Sequence, residues 1–203
     1  MRFMTAYHDH SDESLRKRIV GDLATKAVAL VSDAGTPLIS DPGYKLVRSA
    51  RKSGCAIHTL PGPSAAIAAL TLAGLPTDRF LFLGFLPAKA KARADAIAEV
   101  KTVRATLVLY ESGPRLGDSL AGLRDGLGER DAAVVREISK LHEETVTGTL
   151  DQLATRYADA PPRGEIVIVV GPPPEREVAS DDELDSALRT ALKSMPRFLS
   201  QHG

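Results

Sequence analysis

The sequence predicts an α/β protein, and three observations predict it. An apolar run at residues 27–31 leads into Ser32-Asp33-Ala34-Gly35-Thr36-Pro37-Leu38-Ile39-Ser40-Asp41-Pro42-Gly43, and a helical segment follows at 44–52. A second apolar run at 56–60 leads into Pro61-Gly62-Pro63-Ser64 and a helical segment at 65–73. A strongly β-branched run stands at 165–170. Repeated strand–loop–helix order builds a parallel sheet. Sheets of that kind bind ligands outside the carboxyl ends of their strands, where both loops would lie.

Each element has its own signal. Leu15, Ile19 and Leu23 recur every four residues among charges and predict a helix over 11–26. Asp41 and Pro42 suit the cap and first residue of the helix at 44–52, and Gly54 suits its stop. Gly74-Leu75-Pro76 ends the helix at 65–73. Residues 80–86 form a short apolar segment that stops at Pro87, and a domain boundary is expected there. A helix over 89–101, a strand over 105–110 and a helix carrying Leu116, Leu120, Leu123 and Leu127 on one stripe come next. Strands are expected at 132–138, 144–149 and 165–170, with a helix at 150–157. After Gly171 the character changes. Pro172-Pro173-Pro174 opens an acidic linker, and residues 175–185 hold six acidic and one basic side chain. Leu184, Leu188 and Leu192 then mark a short helix that Pro196 stops.

Composition bounds the function. The chain has 203 residues, 43% hydrophobic and 26% charged, enough to bury a core. Acidic and basic side chains balance at 26 each, so any nucleic-acid contact must come from a local basic patch. Aromatic residues are 4% of the chain and Trp is absent, which argues against base stacking on aromatic platforms. The single cysteine, Cys55, reads as a small buried hydrophobe and suits a reducing compartment. No secretory signal stands at the start, and the apolar stretch 65–75 is too short to span a bilayer, so a soluble protein is expected.

Several positions invite chemistry. In the first loop Asp33 accepts hydrogen bonds, Gly35 permits close backbone approach, Thr36 adds a hydroxyl and Pro37 stiffens the chain. Ser64 suits the cap of the next helix beside the same crevice. Neither loop is a Walker loop or a Gly-x-Gly-x-x-Gly fingerprint. Tyr110-Glu111-Ser112 puts a carboxylate and a hydroxyl at another strand end. Residues 136–144 are dense in ionisable groups and read first as a solvated turn between strands, and Glu165 is an edge charge or a ligand contact. Lys89, Lys91 and Arg93, with Lys101 and Arg104, give residues 88–104 a net +3, read as a solvated helix face or as a phosphate-binding one. His8 and His10 without a third ligand do not make a metal site, so no metal is expected, and His58 reads as a core residue.

With these motifs in place, the chain resembles the ribosomal RNA small subunit methyltransferase I family of the tetrapyrrole-methylase superfamily. The likeness rests on residues 32–43 and on Leu60-Pro61-Gly62-Pro63-Ser64-Ala65. Asp78-Arg79-Phe80, Gly84-Phe85-Leu86-Pro87, Tyr110-Glu111-Ser112, Arg136-Glu137 with Lys140, His142-Glu143-Glu144 and Gly164-Glu165-Ile166 then follow in order. The resemblance implies two α/β domains with S-adenosylmethionine in the cleft between them. It places Asp33, Ala34, Gly35, Thr36, Pro37, Ser64 and Ala65 in the cofactor pocket, closed by Tyr110, Glu111 and Glu165. It implies 2′-O-methylation of a cytidine ribose in the decoding centre of 16S rRNA, with the 30S subunit as substrate. Glu111 and Glu137 are the candidate bases, and Lys89, Lys91, Arg93 and Arg115 the candidate RNA contacts. A cytoplasmic homodimer without membrane attachment is expected.

The departures set further expectations. Family members begin with an apolar strand and a Pro-x-Gly-Asn-Leu loop, followed later by Ala-Glu-Asp-Thr-Arg. This chain starts just before the Tyr7 segment and stops short in the C-terminal helical region. Gly113-Pro114-Arg115 stands where Pro-His-Arg is usual. The expected organisation is a truncated N-terminal domain over 1–86 with a mainly parallel sheet lacking its first strand. A C-terminal α/β domain over 87–171 and a linker with helical tail over 172–203 complete it. The alternatives are an inactive fragment of the enzyme and a small-molecule methylase of the tetrapyrrole type. Asp33-Ala34-Gly35, where that branch carries Gly-Asp-Pro, argues against the latter.

Overall fold

The computed structural model describes residues 4–8, 10, 12–174, 185, 186 and 188–190. The chain divides into two compact units, Met1–Pro173 and Pro174–Gly203. Most of the linker and tail expected beyond Gly171, including Leu184 and Leu192, lies outside the described residues.

The first unit runs α1 (Glu13–Asp22), α2 (Tyr44–Lys52), α3 (Ala65–Ala73), β1 (Phe80–Phe85), α4 (Ala90–Glu99) and β2 (Thr106–Ser112). A single 3-10 turn (Gly113–Arg115) leads into α5 (Leu116–Leu127), β3 (Asp131–Arg136), β4 (Glu144–Thr149), α6 (Leu150–Arg156) and β5 (Glu165–Val170). Local chemistry sets several ends. Asp12 caps α1 by accepting from the Ser14 backbone N–H at 3.1 Å. Gly74 ends α3 in the left-handed region at φ 66°. Thr149 and Gln152 form a reciprocal capping box on α6.

The strands form one sheet in the order β1-β2-β5-β3-β4. β1 and β2 pair in parallel, and the other pairings are antiparallel. β5 lies at its centre, buried on both faces, which is why it reads as an unbroken apolar run. Alternate residues face opposite layers. Leu107, Leu109, Val134, Ile166 and Ile168 pack under α4, α5 and α6, against Ile97, Leu116, Leu120, Leu123, Leu150 and Leu153. Val108, Ala133, Val135, Val167 and Val169 meet Ala66, Ala69, Leu70 and Ala73 of α3. The alanines of α3 let the helix approach the sheet closely. Each fully buried leucine contributes about 1.5–3 kcal/mol.

The N-terminal part differs from expectation. Residues 27–31 and 56–60 form no strand, and the parallel sheet expected there is absent among the described residues. Val28, Val31 and Leu60 are exposed, at 46%, 70% and 90%. An apolar run becomes a strand only beside a partner that takes its hydrogen bonds, and a lone two-strand pairing is marginal in water. His58, expected in the core, is exposed with its segment. Phe80–Phe85, placed before the domain boundary by sequence, is the edge strand of the sheet and pairs with β2 from Phe80↔Thr106 to Phe85↔Tyr110. The strand expected to reach residue 138 stops at Arg136, because Glu137 turns to φ 51°.

Candidate active site

The loop over 32–43 is held in an unusual backbone. Gly35 has φ 68°, and Leu38 and Ser40, which are not glycines, have φ 76° and 59°. Each such residue costs on the order of 1–3 kcal/mol and persists only where its surroundings enforce it. Thr36 Oγ1 donates to the Pro63 carbonyl at 3.0 Å, and Ser32 Oγ donates to the Ala34 carbonyl at 2.9 Å. A Cβ on Gly35 would lie 3.9 Å from the Pro63 oxygen, and one on Gly84 of β1 would lie 3.4 Å from Ser40 Oγ. The structure therefore brings Gly35 and Thr36 together with Pro63, twenty-seven residues along the chain from Thr36.

The far side of the site comes from one end of the sheet. Ser112 stands opposite Glu165, and Arg136 opposite Ile166, so the ends of β2 and β3 meet the start of β5. α3 runs along the sheet with its other end elsewhere: a Cβ on Gly171 would lie 3.6 Å from the Leu75 side chain, just past α3, and Thr106 Oγ1 donates to the Pro76 carbonyl at 2.6 Å. Ser64 and Ala65 at the start of α3 thus face the sheet end that carries Tyr110 and Glu165. Tyr110 packs on the α3 face, edge-on to Phe82 at 4.9 Å and Phe85 at 5.7 Å.

Glu111 points the other way. Its side chain is 1% exposed beneath α5. It accepts from Ser119 Oγ at 2.5 Å and from its neighbour's backbone, Ser112 N–H, at 2.8 Å, and it lies 3.5 Å from Arg115 Nε. Arg115 also donates to the Leu86 carbonyl. Glu111 and Arg115 are thereby committed to the turn between β2 and α5. Parity carried this signal: Leu107, Leu109 and Glu111 share one face of a strand, and Val108 and Tyr110 the other.

Glu137 sits in a ring of contacts. Its Oε1 accepts from the Glu165 N–H at 2.9 Å and from Lys140 Nζ at 2.9 Å, and Lys140 reaches Glu165 Oε2 at 3.0 Å. The Glu165 N–H, with Lys140 behind it, holds the Glu137 carboxyl below the usual carboxylate range. The same two carboxylates raise Lys140. Gly164, at φ 98°, leaves no room for a Cβ beside the Glu137 carboxylate. Sequence reasoning named Glu137 and Glu165 separately but not Lys140 as the bridge between them.

Of the expected RNA contacts, Lys89 and Lys91 are exposed. Arg93 is interlocked instead: it donates to the Ala88 carbonyl at 3.2 Å, lies 3.8 Å from Asp118 and is only 12% exposed. A cavity of about 270 Å³ between α1 and α2 is lined by none of the candidate cofactor residues.

A strained loop over 32–43, joined to the 61–64 loop beside an aromatic sheet end, suits a flexible cofactor bound through main-chain groups. The description Tetrapyrrole (Corrin/Porphyrin) Methylases is that of the family model that matches residues 5–154. The methyltransferase CobJ shares the fold with a TM-score of 0.59, 17% identity and coverage of 84% of this chain and 75% of its own. Uroporphyrin-III C-methyltransferase from Thermus thermophilus, complexed with S-adenyl homocysteine, does so with a TM-score of 0.52, 18% identity and coverage of 78% and 72%. The chain thus belongs to the tetrapyrrole (corrin/porphyrin) methylase family, whose fold it shares.

Closer relatives narrow the class. Proteins of Erythrobacter litoralis and Mesorhizobium japonicum named ribosomal RNA small subunit methyltransferase I are 53% and 46% identical, over 93% and 96% of this chain and 67% of their own length. The chain belongs to the ribosomal RNA small subunit methyltransferase I family. It spans 58% of the length of the Halalkalibacterium halodurans relative and 68% of that from Xylella fastidiosa. Among the described residues no helix is long and apolar enough to cross a membrane.

Proposed function

We propose that this chain binds S-adenosylmethionine between the 32–43 and 61–64 loops and the Tyr110–Glu165 sheet end, and methylates a cytidine 2′-hydroxyl of 16S rRNA in the 30S subunit. The observation that carries the reading is the Thr36–Pro63 hydrogen bond, which joins the two family loops into one wall. The donor set fits the cofactor. Asp33 supplies a carboxylate for hydroxyl or ammonium groups, Ala34, Gly35 and Pro37 supply accessible backbone, and Ser64 has no side-chain capping bond to give up. Tyr110 supplies an aromatic edge.

When bound, S-adenosylmethionine supplies an electrophilic methyl group on a sulfonium. The protein's share is positioning: holding the ribose oxygen in line with that carbon and excluding water. Glu137, 17% exposed, is the proposed acceptor of the hydroxyl proton through its second oxygen, while Lys140 keeps it ionised. Glu111, enclosed beneath α5, positions the strand end that carries Tyr110. Lys89 and Lys91 are proposed phosphate contacts. A cytoplasmic homodimer is proposed with this activity, in keeping with the lone cysteine and the family. The test is transfer of labelled methyl to undermethylated 30S subunits. Label in a ribose 2′-position of 16S rRNA is expected, and a folded chain that labels no RNA would sink the proposal.

A further inference from the structure

We propose that Phe85 is a stacking platform for an unpaired base of the RNA substrate at the rim of the candidate site, an inference that rests on the proposed RNA substrate. The cofactor reading leaves Phe85, in the Gly84-Phe85-Leu86-Pro87 segment, without a role.

A β-bulge aims the ring. β1 pairs with β2 in step from Phe80↔Thr106 to Phe82↔Val108, then resumes one residue late at Gly84↔Leu109 and Phe85↔Tyr110. Side chains alternate along a strand, so without the extra residue, Leu83, the ring of Phe85 would stand on the opposite face from Phe82. With it, Phe82 and Phe85 both meet Tyr110, at 4.9 and 5.7 Å between ring centres. Phe82 and Tyr110 pack on the α3 face of the sheet, so the bulge turns Phe85 toward the face on which the candidate site lies. Gly84 absorbs the bend at φ 65°. A Cβ there would lie 3.4 Å from Ser40 Oγ, so the bulge also lies against the 32–43 loop. Bulges that re-aim one side chain recur beside active sites.

The fold makes little use of this ring. Phe85 is 54% exposed, and its plane is tilted 63° from that of Tyr110, so the two rings do not cover each other. Phe80, the other exposed ring of β1, stands at the far end of the strand. β1 is the edge of the sheet, one strand further out than Tyr110. A cofactor held between Tyr110 and the two loops therefore leaves Phe85 at the outer rim, where a substrate arrives. The scarcity of aromatic residues argues against recognition of a row of stacked bases, but a single target nucleotide needs a single platform. A nucleotide drawn into the site leaves its stacked neighbours, and stacking on an aromatic ring returns part of that cost. Lys89, a proposed phosphate contact, follows four residues on, so base and backbone contacts would come from one short segment.

The test is fluorescence anisotropy of the full chain with two short labelled strands of equal length and charge, an oligocytidine and an abasic tetrahydrofuran backbone. Phe85→Ala is expected to weaken the oligocytidine about tenfold and the abasic strand less than about twofold, because only the first has a base to stack. Phe85→Trp keeps a ring and should hold the oligocytidine within about threefold of the unaltered chain. Equal loss on both strands, no loss on either, or no binding of oligocytidine by the unaltered chain would each overturn the platform. Calorimetric titration of Phe85→Ala with S-adenosylmethionine should match the unaltered chain. Lost cofactor affinity with unchanged oligocytidine binding would assign the ring to the cofactor's adenine and overturn the proposal as well. Methyl transfer to undermethylated 30S subunits keeps this separate from the proposed function. A Phe85→Ala chain that methylates them with an unchanged KM refutes the platform alone; an unaltered chain that shows the base-dependent binding but transfers no methyl refutes the activity alone.

Discussion

Glu111→Ala is expected to lower stability by about 2–4 kcal/mol, because a buried carboxylate that satisfies several donors is removed at once. Ser119 Oγ, the Ser112 N–H and Arg115 all lose an acceptor. Ser119 is fully buried and finds no water in its place. Arg115 is 32% exposed and recovers part of its loss by hydration, which keeps the figure below that of a wholly enclosed pair. For a unit of this size the melting temperature should fall by roughly 5–15 °C. Glu111→Gln keeps the shape and one acceptor oxygen and should cost about half as much. Urea unfolding followed by circular dichroism checks both. A Glu111→Ala chain with an unaltered midpoint but abolished methyl transfer would instead return Glu111 to the role of base.

Gly164→Ala should be comparably damaging, at about 2–4 kcal/mol, for two separable reasons. A φ of 98° is unfavourable for any residue with a Cβ, and that Cβ would overlap the Glu137 carboxylate. To make room Glu137 must leave, breaking its bonds to the Glu165 N–H and Lys140. The start of β5 then loosens where the cofactor site would be walled, so affinity for S-adenosylmethionine should drop at least about tenfold. Adding Glu137→Gly removes the overlap but not the backbone cost, so stability should return only in part. Full recovery in the double variant, or no loss in the single one, contradicts this geometry; unfolding midpoints and cofactor titration read it.

Much of this was legible in the residues. The ranges 44–52, 65–73, 144–149 and 165–170 are legible to their ends, because each is bounded by a glycine, a proline or a cap. The runs at 27–31 and 56–60 were misread as strands. Hydrophobicity states that a segment wants burial, but a ladder also needs a neighbour, and no periodicity reveals whether one is present. The loop motifs suggested a cofactor site, but the contact between them through Thr36 and Pro63 is a tertiary fact. Glu111 was misplaced by position, since a strand end suggests a site while parity assigns the α5 face.

The central claim is that the two loops and the sheet end form a cofactor pocket in this chain. Calorimetric titration of the purified 203-residue chain with S-adenosylmethionine tests it most directly. One site of micromolar affinity, weakened several-fold by Thr36→Val through loss of a single hydrogen bond, is the expected result. A chain that is folded by circular dichroism yet releases no heat on titration would contradict it.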